Sequence, residues 1–107
     1  MEPTREEVDA MPGLTVLEFG ATWCGFCQAA KADIERTVGA RRDVRHIWIE
    51  DGKGKRLGRS FGVKLWPTLV FLRDGREVAR VVRPRGKSDL DKALLSFEAC
   101  TPSSPQP

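Results

Sequence analysis

The sequence predicts a single α/β domain built on a mixed sheet of four strands, and three observations carry that expectation. An apolar strand-like run at residues 14–21 leads directly into a segment whose Cys27, Ala30, Ile34 and Val38 recur at helical spacing. A second apolar run at residues 44–49 follows that helix, the order expected of two parallel strands joined by a crossover. Near the C-terminus, Asp74-Gly75 sits between two further apolar runs, the usual signal of a hairpin.

The elements follow in the order α-β-α-β-α-β-β-α. Residues 3–10 read as a short helix, with Pro3 early, Glu6 and Glu7 near its start, and Pro12-Gly13 breaking it. The first strand is 14–21, and the helix after it starts at Gly25 and is closed by Gly39. The second strand, 44–49, has the continuous apolar character of a strand covered on both faces. A loop at 50–54 precedes a short helix at 56–61, ended by Gly62. The third strand spans 65–72, with Pro67 near its start, and 77–82 returns antiparallel. Ser88 caps a last helix at 89–99, whose Leu90, Ala93, Leu94 and Phe97 form one face. The expected domain is residues 1–100, and the Pro/Ser-rich 101–107 read as a disordered tail.

Composition narrows the function classes. At 107 residues, 40% hydrophobic and 31% charged, the chain has the balance of a globular protein with one core. No apolar run approaches a membrane span, the longest being residues 65–72, and no membrane partner is expected. The N-terminus lacks a basic and apolar leader, which makes the cytoplasm the expected location. The net charge of +3 is modest, with basic stretches at 41–45, 53–59 and 76–87. Those read as solvated surface rather than a nucleic-acid footprint, because no aromatic residues are interleaved for stacking. The basic balance remains compatible with acidic protein partners.

Three cysteines are too few for a disulfide scaffold and leave Cys100 over, read as a small apolar residue at a helix end. Cys24 and Cys27 lie in Trp23-Cys24-Gly25-Phe26-Cys27, with a strand in front and a helix behind. That context puts both sulfurs at a helix N-terminus, where free N–H groups and the helix dipole stabilise a thiolate. It suggests redox chemistry rather than metal binding. A zinc site needs about four ligands. Only His46 and Cys100 remain as soft candidates, so the metal alternative is a site shared across a dimer. The helical register sets Cys27 on the apolar face, pointing inward, and leaves Cys24 as the exposed sulfur.

Over residues 14–97 the chain resembles the thioredoxin family. The resemblance rests on Phe19-Gly20-Ala21-Thr22-Trp23-Cys24-Gly25-Phe26-Cys27, on Trp66-Pro67-Thr68 at a strand start, and on Asp74-Gly75 in a hairpin followed by a helix. It implies a thioredoxin-like fold, with the four-stranded mixed sheet flanked by helices on both faces. The family's additional N-terminal edge strand has no room here. It implies a thiol–disulfide oxidoreductase reducing protein disulfides, with Cys24 as nucleophile and Cys27 as resolving thiol. Glu18 falls at the family's buried acid and is assigned proton transfer, and His46 aligns with the acid's usual lysine partner, which puts that partnership in doubt. Pro67 resembles the cis-proline that opens the preceding backbone to an extended substrate. Trp23, Gly25, Phe26, Trp66 and Pro67 are the expected substrate-binding residues.

No cofactor is expected beyond the Cys24–Cys27 disulfide itself. The expected partners are disulfide-bearing proteins and a reductase or thiol pool as electron donor, with the chain a monomer. The departures are Phe26 in place of proline, Gly20 in place of an aromatic, Ala32 in place of a helix-kinking proline, which implies a straighter helix, and Arg83 near a glycine that lines the partner groove. The Gly25-Phe26 dipeptide leaves the direction of electron flow open to an oxidase or isomerase. A fold retained as a non-catalytic binding module is the reading from another class.

Overall fold

A computed structural model describes residues 2–99. The elements are α1 (Arg5–Asp9), β1 (Leu14–Gly20), α2 (Gly25–Thr37), β2 (Val44–Glu50), α3 (Arg56–Ser60), β3 (Thr68–Arg73), β4 (Arg76–Val82) and α4 (Lys87–Ala99). The sheet runs β2-β1-β3-β4, with β1 parallel to β2 and antiparallel to β3, and β3 antiparallel to β4. This is the expected order and the expected mixed sheet. Cys100 and the tail at 101–107 lie outside the described residues.

Strand alternation splits the core in two. On one face, Val16, Leu69 and Phe71 meet Ala30 and Ile34 of α2, Val38 at its C-cap, and Leu90, Ala93, Leu94 and Phe97 of α4. On the other, Leu17, Phe19, Val70 and Leu72 meet Val8 of α1 and Leu57 and Phe61 of the α3 region. Helices therefore cover both faces. The same alternation carries Glu18 onto the α2 face with Val16 and Gly20, which delivers a carboxylate beneath the helix that bears the cysteines.

Several boundaries differ from expectation, each for a local reason. Helix α1 starts after Thr4, whose hydroxyl accepts from the Glu7 N–H while Glu7 accepts from the Thr4 N–H, a reciprocal capping box. Strand β2 is at the sheet edge, so Arg45, His46 and Trp48 are exposed rather than covered. Its apolar run reflects Val44 and Ile49 reaching the two cores, not burial on both faces. Strand β3 begins only at Thr68, since residues 65–67 form a bend containing the cis Trp66–Pro67 bond. Helix α4 starts two residues early, so Ser88 is inside it, and Asp89 accepts from the Arg85 N–H at 2.9 Å instead. Gly39 closes the end of α2 by donating to the Ile34 carbonyl at 3.0 Å. The Asp74-Gly75 turn has φ of 51° and 81°, both in the left-handed region that a tight hairpin requires. Among the described residues, no helix is long and apolar enough to cross a membrane.

Candidate active site

Cys24 is the N-cap of α2, with extended backbone at φ −81° and ψ 123°, and Gly25 is the first helical residue. The free N–H groups of the first turn therefore open towards Cys24. Burial works to raise its pKa. The Cys27 amide, the Cys27 thiol, the Phe26 amide and the positive charge of Arg83 outweigh that, and the Cys24 thiol lies below its ordinary value. At Cys27 burial prevails. Hydrogen bonding from the Ala21 amide opposes it, but the Cys24 thiol and the charges of Cys24 and Glu18 add to it, pushing the thiol up to about 11. Two sulfurs three residues apart are thus made chemically unequal.

The inequality is not one of residue exposure. The helical register predicts an exposed Cys24 above a buried Cys27, yet each residue is 6% exposed. The reason is Trp66, which packs against Ala21, Cys24 and Cys27. Trp23, itself 74% exposed, meets Trp66 edge-on with ring centroids 5.5 Å apart. Both cysteines are free thiols.

Cys27 borders a cavity of about 500 Å³ together with Glu18, His46, Trp48, Lys31 and Glu35. Glu18 is buried at 7% exposure, and its Oε1 lies 2.7 Å from His46 Nε2. The register explains this contact. Glu18 is opposite Trp48 across the parallel pair, so His46 is its diagonal neighbour on the same face. A buried carboxylate needs such a partner, because desolvation without hydrogen bonding is costly. Trp48 fills the space left by Gly20. A Cβ at Gly20 would lie 2.6 Å from Cys27 Sγ and 2.9 Å from the Trp48 ring. The indole N–H of Trp48 donates to Glu50 at 3.2 Å, and the other Glu50 oxygen accepts from the Thr22 N–H.

Cys24 borders a different opening, a cleft of about 400 Å³ lined also by Trp23, Gly25, Phe26, Lys64, Leu65, Trp66 and Arg83. The Trp66–Pro67 bond at its rim is cis, and the Trp66 indole N–H donates to Asp51 at 2.9 Å. Arg83 holds this side together. Its Nε donates to the Trp66 carbonyl at 2.8 Å, its N–H donates to the Pro67 carbonyl at 2.9 Å, and its guanidinium stacks 3.8 Å from the Phe26 ring centroid. It does so at φ 51°, where a non-glycine residue costs about 1–2 kcal/mol. The hydrogen bond, about 1.5–3 kcal/mol for a charged donor, and the stacking offset that cost.

The structure therefore gathers Cys24, Cys27, Glu18, Trp23, Gly25, Phe26, Trp66 and Pro67 around one helix end, on two sides. Sequence reasoning discounted His46 as a partner for Glu18, and the contact corrects that. It missed Trp48, Lys64 and Asp51, and read Arg83 only as a departure. The parallel register and the unusually small Gly20 were the available signals for His46 and Trp48. Among the described residues, no three His, Cys, Asp or Glu side chains are grouped to hold a metal ion.

Comparison with known proteins bears on this geometry. The thioredoxin family model matches residues 3–96. Thioredoxin 2 from Pseudomonas aeruginosa PAO1, solved in its reduced form, superposes with a TM-score of 0.80 at 54% identity, covering 92% of this chain and 91% of that one. A thioredoxin of Chlamydia muridarum is 32% identical over 86 residues, 80% of this chain and 84% of its own. Thioredoxin H2-1 of rice is 29% identical over 91 residues, or 85% of this chain, and the match spans 65% of the rice protein's length, just under two thirds.

Proposed function

The chain belongs to the thioredoxin family, and from that premise we propose that it is a thiol–disulfide oxidoreductase that reduces protein disulfides through Cys24 and Cys27. The observation that carries this reading is the pair of free thiols at the start of α2, Cys24 as its N-cap and Cys27 in its first turn, both packed against Trp66. With it goes a Cys24 thiol that is lowered and a Cys27 thiol pushed up to about 11. The Cys24 thiolate attacks one sulfur of a substrate disulfide. A Cys24–substrate bond forms, the substrate S–S bond breaks, and the leaving thiolate takes a proton. Cys27 then loses its proton to Glu18, with His46 bonded to that carboxylate, and attacks Cys24 Sγ. The second substrate thiol leaves, and the pair, now a disulfide, has given up two electrons. No separate cofactor enters the cycle, and a reductase or thiol pool restores the dithiol.

The direction of flow is read from what the site stabilises. A strong oxidant needs its reduced, thiolate form favoured. The lowered Cys24 thiol favours that form, while burial and the Glu18 charge at Cys27 act the other way. We take the raised inner thiol as support for a reducing pair over an oxidase or isomerase. A reducing compartment such as the cytoplasm suits that direction, and the protein acts as a monomer. Trp23, Gly25, Phe26, Trp66 and Pro67 form the surface that receives the substrate segment.

Equilibration of the pair with glutathione buffers, read by alkylation and mass, tests the proposal. A potential near the thioredoxin range of about −270 mV is expected. A value near about −120 mV, the range of strong oxidants, overturns the direction, and absence of any reversible Cys24–Cys27 disulfide overturns the function.

A further inference from the structure

Among the described residues, the cleft beside Cys24 is lined by two cations and by no acid. Elsewhere five cations are paired with carboxylates: Arg5 with Asp9, Arg36 with Asp33, Arg41 with Asp43, Arg80 with Glu77 and Lys87 with Asp91. Lys64 and Arg83 line the cleft, and among the described residues neither has a carboxylate partner and the cleft contains no carboxylate. Arg83 also borders the adjoining groove of about 500 Å³ with Arg85 and Val82, where Asp33 is the one acid. Around these cations stand Trp23, Phe26, Leu65 and Val82, four of the large apolar side chains that remain exposed. The surface is therefore apolar with a positive centre beside the sulfur.

Arg83 is fixed rather than free to swing. Its Nε is committed to the Trp66 carbonyl and its plane to the Phe26 ring, while its two Nη groups have no partner among the described residues. A guanidinium held in this way presents a forked donor that matches a carboxylate. We propose that Arg83 is a specificity-determining residue that selects protein disulfides whose attacked cysteine is flanked by an aspartate or glutamate. The inference rests on the oxidoreductase reading and names the substrate class of that same site. Carboxylate and guanidinium meet beside a cleft walled by aromatic rings, where charge complementarity sets orientation and rejects the wrong partner.

The test uses the reduced protein and short synthetic peptides, each closed by one disulfide and identical except for Glu, Gln or Lys beside the attacked cysteine. Single-turnover reduction is followed by mass. The Glu peptide is expected to react about tenfold faster than the Gln peptide, a factor typical of one charge-assisted hydrogen bond, and the Lys peptide slowest. Arg83 also acts on Cys24, so its replacement slows every peptide, and the Glu/Gln ratio is the readout. In Arg83→Gly, which suits the left-handed backbone, the ratio falls to about one. In Arg83→Lys part of it returns. Equal rates for the Glu and Gln peptides in the unaltered protein, or a preference that persists in Arg83→Gly, overturn the inference alone. Failure to reduce any of the peptides overturns the reading beneath it.

Discussion

On one side of the cysteine pair, Cys24 opens to a cleft of tryptophans, Phe26 and unpaired cations. On the other, Cys27 backs onto a cavity containing a buried carboxylate, its histidine and a third tryptophan. Against burial, the Cys27 amide and thiol and the Phe26 amide, with Arg83 adding its charge, help the sulfur at the helix cap to shed its proton. Burial first, then Cys24 and the Glu18 charge, makes the inner sulfur keep one. Both residues are little exposed, and burial is the largest influence on each; it prevails at Cys27 and is outweighed at Cys24 by the groups that sulfur faces. Burial and hydrogen bonding first, and charge second, thus set the two sulfurs apart, and either side can be altered while the other is left in place.

Separating the sulfurs gives the largest effect. Cys24→Ser should abolish turnover, whereas Cys27→Ser should perform the first attack and then accumulate the mixed disulfide, visible as a stable adduct by mass. Iodoacetamide alkylation sharpens the contrast. As pH rises, the thiolate fraction at Cys24 grows and the rate in Cys27→Ser levels off below the pH expected for an ordinary thiol. Cys27, followed in Cys24→Ser, loses the Cys24 charge that helps hold it up, yet burial should keep it slow to a higher pH than Cys24. Reversal of that order would mean that the two sides have been assigned the wrong way round.

Glu18→Gln comes next. Loss of the carboxylate should slow resolution by about 10²-fold, the lower range for a positioned proton acceptor, while the first attack by Cys24 is spared. The same change removes the negative charge that helps hold Cys27 up, so the Cys27 alkylation profile should shift to lower pH as the resolving rate falls. A packing defect alone would not move those two readouts in opposite senses. His46→Gln keeps a hydrogen-bonding group near Glu18 and should cost less, about tenfold or under.

The strand order, the parallel crossover and the 24–27 motif were legible because each rests on local periodicity or on turn chemistry. Asp74-Gly75 and the α2 face of Ala30 and Ile34 are examples. Less legible was anything set by two strands together. That His46 reaches Glu18 depends on the β1–β2 register, and that Trp48 covers Gly20 depends on a diagonal neighbour. Exposure of Cys24 was misjudged for a related reason. Helical periodicity describes what α2 does, and the cover comes from Trp66, about forty residues on in a bend. Arg83 was visible as an odd residue in a groove, but its left-handed backbone and its grip on Trp66 are products of the folded loop.

The smallest expected effect comes from two glycines, one on each side of the pair, and its sign is the informative part. Gly20 lies on the Cys27 side, where an added Cβ would press on Cys27 Sγ at 2.6 Å and on the Trp48 ring at 2.9 Å. Both obstacles belong to packed elements, so Gly20→Ala should destabilise by about 1–3 kcal/mol in urea unfolding. Gly25 lies on the Cys24 side, with nothing within 4 Å of the added carbon, at the first position of α2. There alanine restricts the unfolded chain and favours the helix, so Gly25→Ala should stabilise by about 0.4–1 kcal/mol. Opposite signs from one added methyl group would show that the inner sulfur is held by tight packing and the outer one by an open rim. If Gly20→Ala were neutral, Cys27 would have room to move, and burial could no longer account for its raised pKa.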